Sequence, residues 1–356
     1  MIVVDAHEDI AYNAICYGRD YRINAWEKRR REAGTEVAQQ AGDATTGLPD
    51  AILGRVGVVF ATIFVAPAKP QPTPWDKLEY QTPRQAERLA LQQLDHYRRL
   101  ADECDKIQII ETQAQLDEVL ATWEPDKELV EHKQGLVLLM ESADPILEPK
   151  QFEEWYERGV RIVGPAWAGT RYSGGTGQPG PLTNLGRELL EQMEDLNAIL
   201  DLSHMAEAAF LESLDRYGGQ IIASHSNPRH FVNTDRHLSD EMIRRLAERD
   251  GVMGIVLFNR FLKQGWTKFD GKKAVSFSVP LDAIDYVCQL TGSAAHVAIG
   301  SDFDGGFGAE SIPDGIETVT DLWHIGEALK ARGYSEDDVA AIMSGNMLRK
   351  LRQSLP

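Results

Sequence analysis

The feature that most constrains the fold is a repeated order of short apolar runs and longer amphipathic segments. Eight runs are predicted as strands: Ile2–His7, Gly57–Ala66, Gly135–Glu141, Arg161–Trp167, Ile199–His204, Gln220–His225, Gly251–Leu257 and His296–Asp302. Several are almost continuously apolar, which is typical of strands buried on both faces of a parallel sheet. The segments predicted as helices are Pro83–Cys104, Leu185–Leu200, Ala206–Tyr217, Ser239–Asp250, Pro280–Thr291 and Thr318–Arg332. This strand-then-helix order predicts right-handed crossovers and a parallel sheet.

Eight such strands predict an α/β chain of the (β/α)8 TIM-like barrel class. A doubly wound open sheet is the alternative, although no GxGxxG motif follows the first strand as in dinucleotide-binding sheets. The 356 residues fit one barrel, and no linker marks a boundary, so we expect a single domain over residues 1–356. Two loops are elaborated. Residues 11–50 are polar and are expected to carry a helix, whereas the Gly- and Pro-rich residues 168–183 are expected to form a mobile flap or, alternatively, a phosphate-binding loop.

The net charge and the cysteine content restrict the binding partners and the cellular compartment that we expect for this chain. The net charge is −18, and the one basic run, Lys28 to Arg31, lies among glutamates, so a nucleic-acid partner is not expected. The separated cysteines Cys16, Cys104 and Cys288 form no CxxC pair, which suits a reducing compartment. The opening MIVVDAHEDI has no signal-peptide pattern, and no apolar stretch has the length of a membrane span. We therefore expect a cytoplasmic protein that does not contact a membrane.

Ionisable residues fall at the carboxyl ends of the predicted strands. They are His7 and Asp9 at the end of the first strand, Glu141 at the end of the third, His204 of the fifth, His225 of the sixth and Asp302 of the eighth. In a barrel these ends converge on one mouth, so residues far apart in sequence share one pocket. Because side chains alternate along a strand, His7 and Asp9 are expected to point the same way.

Three imidazoles with two or three carboxylates suit Zn²⁺ or a similar divalent ion. Five ligands, His7, Asp9, Glu141, His204 and His225, exceed what one catalytic zinc needs, so we expect two divalent metals that share a carboxylate. Asp302 is preferred over Asp304 as the catalytic carboxylate because the strand ends there. Taken singly, each residue could instead be a strand-end cap.

Arg236, in the loop after the sixth strand, has two interpretations from spacing alone. It could reach the mouth and bind a carboxylate with two hydrogen bonds. Alternatively, it could be a solvated residue beside a helix start at Ser239.

Several of these motifs resemble the renal (membrane) dipeptidase family, peptidase family M19, the zinc dipeptidases of the amidohydrolase-like barrels. The resemblance covers nearly the whole chain and rests on DAHED, MESADPI, DLSHM, ASHSN, DRHLSDEMI, GSDFDGG, SIPDGIE and SGNMLRKL. It implies a metallo-dependent hydrolase barrel in which Glu141 bridges the two metals and Arg236 binds the substrate carboxylate. Asp302 would be the general acid/base. The substrate would be a small peptide, and a D-residue at its carboxyl end would be tolerated. Family members are often dimers, so a homodimer is compatible with the resemblance.

The sequence also departs from the family pattern. Trp167 stands where family members often carry an oxyanion-stabilising histidine, and an indole N–H donates one hydrogen bond but carries no charge. His237 stands where many relatives have Asn. Trp167 is expected to pack over the substrate or to donate weakly to the oxyanion. Trp167 keeps open one alternative, a hydrolase of the same fold that acts on another amide or a lactone. A non-catalytic metal-binding barrel is the second alternative.

Overall fold

The computed structural model describes residues 1–356 and contains a closed parallel barrel. Its strands, labelled in chain order, are β1 (Val3–Glu8), β2 (Val56–Phe64), β3 (Gln134–Glu141), β4 (Val160–Gly164), β5 (Ile199–Asp201), β6 (Ile221–Ala223), β7 (Val252–Ile255) and β8 (Val297–Ile299). Each strand, including β2 with β3, pairs in parallel with the next one along the chain. The pairing of β8 with β1 closes the ring. The predicted barrel is therefore confirmed, and the open sheet is excluded.

Helices follow most strands and cover the outside of the barrel. The α-helices are Ile10–Tyr17, Ala25–Glu32, Glu36–Ala41, Leu48–Leu53, Pro83–Glu103, Gln113–Ala121, Phe152–Glu157, Asn184–Asp195, Glu207–Arg216, Asp240–Glu248, Asn259–Leu262, Ser278–Thr291, Trp323–Ala331, Glu336–Ala340 and Asn346–Ser354. No helix combines the length and the apolar character that crossing a bilayer requires.

The barrel interior is filled by apolar side chains from all eight strands. One buried cluster contains Val4, Val58, Phe60, Val137, Leu139, Ile162, Ile199, Ile222, Val252 and Ala298. Met347 and Leu351 of the last helix belong to the same cluster. A second, larger cluster contains strand residues of the other parity, such as Val59 and Leu138, together with residues of the outer helices. The packed interior leaves polar side chains to the strand ends, as in other barrels of this class.

Several strands are shorter than their apolar runs predict. β4 ends at Gly164, β5 at Asp201, β6 at Ala223 and β8 at Ile299, so Trp167, His204, His225 and Asp302 lie in the loops that follow. His204 and Asp302 have positive φ angles of 65° and 60°, which a strand cannot accommodate. The chain turns sharply at the barrel mouth, and the pattern of apolar residues in the sequence does not show where that turn begins.

Both elaborated loops contain regular structure. Residues 11–50 were expected to carry one helix, but they hold two whole helices, Ala25–Glu32 and Glu36–Ala41. Two further helices, Ile10–Tyr17 and Leu48–Leu53, cross the two ends of the segment. Within residues 168–183 lies a hairpin of Ser173–Gly175 and Gln178–Leu182. An additional short strand, Ile107–Ile109, pairs with the beginning of β3.

The loop of residues 11–50 is fastened to the loop after β8 through Asp304. The Asp304 carboxylate accepts hydrogen bonds from the backbone N–H groups of Thr45 (2.8 Å) and Thr46 (3.2 Å) and from both hydroxyls. Asn13 Nδ2 donates to the Asp304 carbonyl at 2.9 Å. Arg19 lies 3.6 Å from the same carboxylate. Asp304 is thus occupied by structural partners, while Asp302 is left to face the barrel mouth.

Candidate metal centre and active site

Glu141, the last residue of β3, lies at the centre of a buried polar cluster at the barrel mouth. Its Oε1 is 3.2 Å from His204 Nε2 and 3.2 Å from His225 Nε2. Its Oε2 is 3.7 Å from His7 Nε2. The two oxygens of one carboxylate therefore face two different sets of nitrogen and oxygen atoms.

These atoms form overlapping triads that could each hold a metal ion. The triads are His7, Asp9 and Glu141; Glu141, His204 and His225; and His7, His225 and Asp302, with one donor atom from each residue and all donors within 4.8 Å. Both ring nitrogens of His7 are buried without a hydrogen-bond partner, so this imidazole is poorly satisfied by protein groups alone. The donor set is imidazole and carboxylate, which divalent zinc accepts. The residues present therefore fit a pair of divalent metals.

Local geometry at the end of β1 turns His7 and Asp9 toward the cluster. His7 Nε2 is 3.8 Å from Asp9 Oδ2, as the alternation along the strand predicts. The pairing of β1 with β2 shifts register between Asp5 and Glu8, so Asp5 does not join its odd-numbered neighbours. Asp5 instead accepts a hydrogen bond from the Ser301 N–H at 2.8 Å and another from the Ser301 hydroxyl. Thr62 of β2 donates to Asp9 Oδ1 and fixes that carboxylate.

Asp302 reaches the same cluster from the loop after β8. Its Oδ1 is 3.9 Å from His7 Nε2, and its backbone N–H donates to the His7 carbonyl at 3.2 Å. A Cβ on Gly305 would lie 2.0 Å from Asp302 Oδ1, so only glycine fits beside this carboxylate. The geometry favours Asp302 over Asp304 as the carboxylate that can act on a substrate.

His225 is oriented by a chain of hydrogen bonds behind the cluster. Its Nδ1 lies 2.8 Å from Ser224 Oγ, and that hydroxyl donates to Asp201 Oδ2 at 2.6 Å. Asp201 also accepts from the backbone N–H groups of Ser203 (3.0 Å) and Ser224 (2.8 Å). With its hydroxyl proton committed to Asp201, Ser224 presents a lone pair to Nδ1–H. That tautomer leaves the Nε2 lone pair of His225 facing Glu141.

His204 is oriented by the hairpin of residues 173–182. Thr176 Oγ1, at the hairpin turn, lies 3.1 Å from His204 Nδ1. The neighbouring Gly177 N–H donates to Asp235 Oδ2 at 2.7 Å, which ties the turn to the loop that carries Arg236. The hairpin turn is therefore held at the barrel mouth by these contacts with His204 and Asp235. A phosphate-binding role for this loop gains no support, because its turn binds a histidine and an aspartate.

Burial shifts the ionisation of the whole cluster. Desolvation raises the pKa of the Glu141 carboxyl well above its usual range, and the nearby Asp9 and Asp302 raise it further. Desolvation likewise raises the pKa of Asp9 to about 6. The same burial, together with Arg236, lowers the pKa of His7, His204 and His225 well below the usual imidazole value. The imidazoles are therefore held neutral, which is the form that binds metals.

Arg236 is a buried cation beside the cluster, with only 6% of its surface exposed. Its guanidinium donates to neutral acceptors, the His225 carbonyl at 2.7 Å and Ser226 Oγ at 3.3 Å, while Nε has no partner. Burial lowers its pKa, and the carboxylates of Asp302 and Glu141 oppose that shift. The solvated, helix-entry interpretation of Arg236 is wrong, because the side chain lines the site cavity.

Trp167 forms part of the wall of this cavity, which has a volume of about 330 Å³. Its ring lies 5.8 Å from the ring of His204 and makes an edge contact with Phe64 at 5.3 Å. Tyr12 extends this aromatic side, and four phenylalanines, Phe64 and Phe258 among them, also line the cavity. The cavity thus combines aromatic walls with the polar cluster.

The other histidines lie outside the metal triads, and four of them make local contacts elsewhere. His237 is buried against Phe261, and burial lowers its pKa to about 3. His132 stacks on Trp123, His230 stacks on Tyr286, and His296 Nδ1 lies 3.0 Å from the Gly251 carbonyl. None of these residues joins the metal triads.

The sequence interpretation missed the residues that orient the ligands. They are Thr62, Thr176, Asp201 and Ser224. Two of them could have been recognised from the sequence. Asp201 and Ser224 are buried polar residues at strand ends, within the motifs DLSH and ASH. Thr176 carried none, since the hairpin that brings it to His204 is set by tertiary packing.

Comparisons with known proteins identify the family of this chain. A model of the membrane dipeptidase family, peptidase family M19, matches residues 1–355. An uncharacterized protein in the pqqA 5′ region of Klebsiella pneumoniae is 32% identical over 218 residues, which are 58% of this chain and 76% of that protein.

Solved structures share the fold. The M19 metallo peptidase called dipeptidase AC superposes with a TM-score of 0.78 at 24% identity, covering 100% of this chain and 99% of that one. A Rhodobacter sphaeroides metallo peptidase, liganded with a phosphinate mimic of the dipeptide L-Ala-D-Ala, gives 0.77 at 23% identity and covers 99% of both chains. The resemblance inferred from the motifs is confirmed: this chain belongs to the membrane dipeptidase family, peptidase family M19, and is a metallo-dipeptidase.

Proposed function

We propose that this enzyme hydrolyses the peptide bond of dipeptides with two divalent metals, zinc in the first instance, and that it accepts a D-residue at the carboxyl end. His7 and Asp9 would hold one metal, His204 and His225 the other, and Glu141 would bridge them. The observation that carries the proposal is that the two carboxylate oxygens of Glu141 face different imidazoles. Oε2 faces His7, whereas Oε1 faces His204 and His225. Metals held there would lower the pKa of a water molecule and polarise the substrate carbonyl.

Asp302 is the proposed general acid and base. Its carboxylate lies at the edge of the cluster with Oδ1 3.9 Å from His7 Nε2, within the same cavity. Burial and the neighbouring Asp9 raise its pKa well above the usual value, so its carboxylate is a stronger base than a solvated one. Asp302 would accept a proton from the attacking water and return it to the leaving amine.

Arg236 is the proposed binding group for the substrate carboxylate. A buried guanidinium that donates only to neutral acceptors is poorly compensated, and an anion in the cavity would supply the missing charge. Anchoring by the carboxylate leaves the configuration at the terminal Cα less constrained. The phosphinate mimic of L-Ala-D-Ala bound to the Rhodobacter sphaeroides peptidase supports tolerance of a D-residue.

A hydrolase acting on another amide or on a lactone is the second candidate, and Trp167 favours it. Its indole cannot carry the charge that a histidine at this position would bring to an oxyanion. Turnover of dipeptides, N-acyl amino acids and lactones by one zinc-loaded sample decides between the two. Dipeptide cleavage supports the first proposal, whereas cleavage of only N-acyl substrates or lactones supports the second.

Replacing Asp302 tests its role as a proton carrier. Asp302→Asn is expected to retain the metal content of the wild type while kcat falls about 100-fold or more, because an amide cannot take up the proton. Metal content by elemental analysis and dipeptide turnover are measured on the same sample. Asp314→Asn, at an exposed position, is the matched control. Unchanged turnover would refute the role of Asp302, and loss of metal would make it a ligand.

Replacing Arg236 tests recognition of the terminal carboxylate. For a dipeptide, Arg236→Gln is expected to lower kcat/KM at least about 30-fold, since truncating one partner of a buried charge pair costs about 2–5 kcal/mol. When the carboxyl end of the same dipeptide is amidated, the wild type is expected to have a low kcat/KM, and Arg236→Gln is expected to have a similar one. This shared activity also shows that the variant is folded. Arg216→Gln on the protein surface is the control. Equal losses on both substrates would contradict carboxylate binding.

Removing the Ser224 hydroxyl tests how His225 is oriented. Ser224→Ala is expected to weaken zinc binding about 10- to 100-fold, the usual effect of losing a group that orients a metal-binding histidine. Competition with a chromogenic chelator measures the affinity without using turnover. Ser213→Ala is matched, because Ser213 is also buried but bonds only within its own helix. The same zinc affinity in both variants would show that the Asp201–Ser224–His225 chain does not support the metal.

A further inference from the structure

The cavity presents a row of phenylalanine rings beside Arg236. We call Phe258, Phe261 and Phe307 the phenylalanine wall; all three line the cavity. Phe258 and Phe307 are stacked with centroids 4.2 Å apart and planes 6° apart, and Phe258 contacts Phe261 at 5.0 Å. Phe258 and Phe261 are only half-buried, unlike the enclosed core ring of Phe303. Part of their apolar surface is therefore offered to the cavity.

The wall lies where the carboxyl-terminal side chain of a bound dipeptide would fall. The Arg236 guanidinium is 5.6 Å from the centre of the Phe261 ring. In an amino acid the side chain begins only two bonds from the carboxylate carbon. A carboxylate held by Arg236 therefore brings the terminal side chain next to Phe261 and its neighbour Phe258.

The wall is held in a fixed position relative to the reacting groups. Residues 303–306 join Phe307 to Asp302, and Gly306 among them has a φ of 85° that favours glycine. On the other side, His237 packs edge-on against Phe261 at 4.8 Å. Burial keeps His237 neutral, so it adds no charge behind the wall. The rings are thus supported from both sides and present a preorganised apolar surface.

The charges near the cavity disfavour an acidic side chain at this position. Arg236 would already be engaged by the substrate carboxylate. Lys69, the other cation that lines the cavity, is paired with Asp76 at 2.8 Å and Glu79 at 3.0 Å. A second anionic group would meet phenylalanine rings and no free cation, and a desolvated unpaired charge is costly.

We infer that the phenylalanine wall is the subsite for the carboxyl-terminal side chain and selects dipeptides that end in a bulky apolar residue. This inference rests on the proposed function and extends it from dipeptides in general to a substrate class. Leucine or phenylalanine at the carboxyl end buries carbon against the rings, alanine buries little, and aspartate is rejected. The configuration at the terminal Cα sets how closely the side chain meets the wall.

Specificity constants for one substrate series test the inference. Zinc-loaded enzyme is given Ala-Ala, Ala-Leu, Ala-Phe and Ala-Asp, each with an L- or a D-residue at the carboxyl end. For the better-accepted configuration, kcat/KM for Ala-Leu is expected to exceed that for Ala-Ala about tenfold or more, since one buried methylene can contribute that much. Ala-Asp is expected to be the poorest substrate. Equal constants, or a preference for Ala-Asp, would overturn the inference.

Two substitutions locate the preference in the wall. Phe258→Ala is expected to lower the Ala-Leu to Ala-Ala ratio at least about fivefold, since the ring that receives the side chain is removed. Phe258→Leu, the second variant should Phe258→Ala not fold, is expected to lower it less. Phe269→Ala is the matched control, because Phe269 is fully exposed. A ratio unchanged by both Phe258 variants would overturn the inference.

The affinity of the enzyme for dipeptide mimics distinguishes failure of this inference from failure of the proposed function. Phosphinate mimics of the dipeptides, ending in leucine, alanine or aspartate, are titrated calorimetrically into zinc-loaded protein. If no dipeptide is cleaved, the proposed function fails. Tighter binding of the leucine mimic, lost in Phe258→Ala, would still support the apolar subsite, whereas equal binding of the three mimics would overturn it.

Discussion

The structure depends on gathering carboxylates and imidazoles into a buried pocket at one end of an apolar barrel. Glu141 lies at the centre of that pocket, within 3.2 to 3.7 Å of three imidazole nitrogens. Removal from water raises the pKa of its carboxyl and lowers the pKa of the imidazoles. A divalent cation favours the opposite ionisation of the carboxyls and the same neutral imidazoles. The arrangement is therefore far better suited to holding metals than to hydrogen bonding within the protein.

Three buried aspartates hold the surrounding loops and so set the geometry of that pocket. Asp5 binds Ser301 next to Asp302, Asp201 binds Ser224 next to His225, and Asp304 holds the loop of residues 11–50. Each acts through a neighbouring residue or backbone group and not on the reacting atoms. Site residues in loops need such supports, because the preceding strands end two residues before His225 and three residues before His204 and Asp302.

Much of this could be predicted from the sequence, for identifiable reasons. The eight apolar runs predicted the barrel, because strands buried on both faces of a parallel sheet are almost continuously apolar. The convergence of strand ends specified that His7, Glu141 and Asp302 would meet, although they are distant in the chain. The bend at His204, the register shift after Asp5 and the hairpin that brings Thr176 to His204 were not predictable. These features arise from tertiary contacts, and local sequence patterns do not encode them. The choice between Asp302 and Asp304 rested on the strand end and agrees with Asp304 being occupied by Thr45 and Thr46.

The most direct measurement is the number of metal ions bound per chain in the wild type and in Glu141→Gln, by elemental analysis after dialysis against zinc. Because the two oxygens of Glu141 face separate ligand sets, the wild type is predicted to hold two zinc ions. The amide offers one oxygen and no charge, so the variant is predicted to hold one or none. Glu153→Gln, on the exposed face of helix Phe152–Glu157, should retain two. Two ions in Glu141→Gln, or fewer than two in the wild type, would contradict the bridging carboxylate.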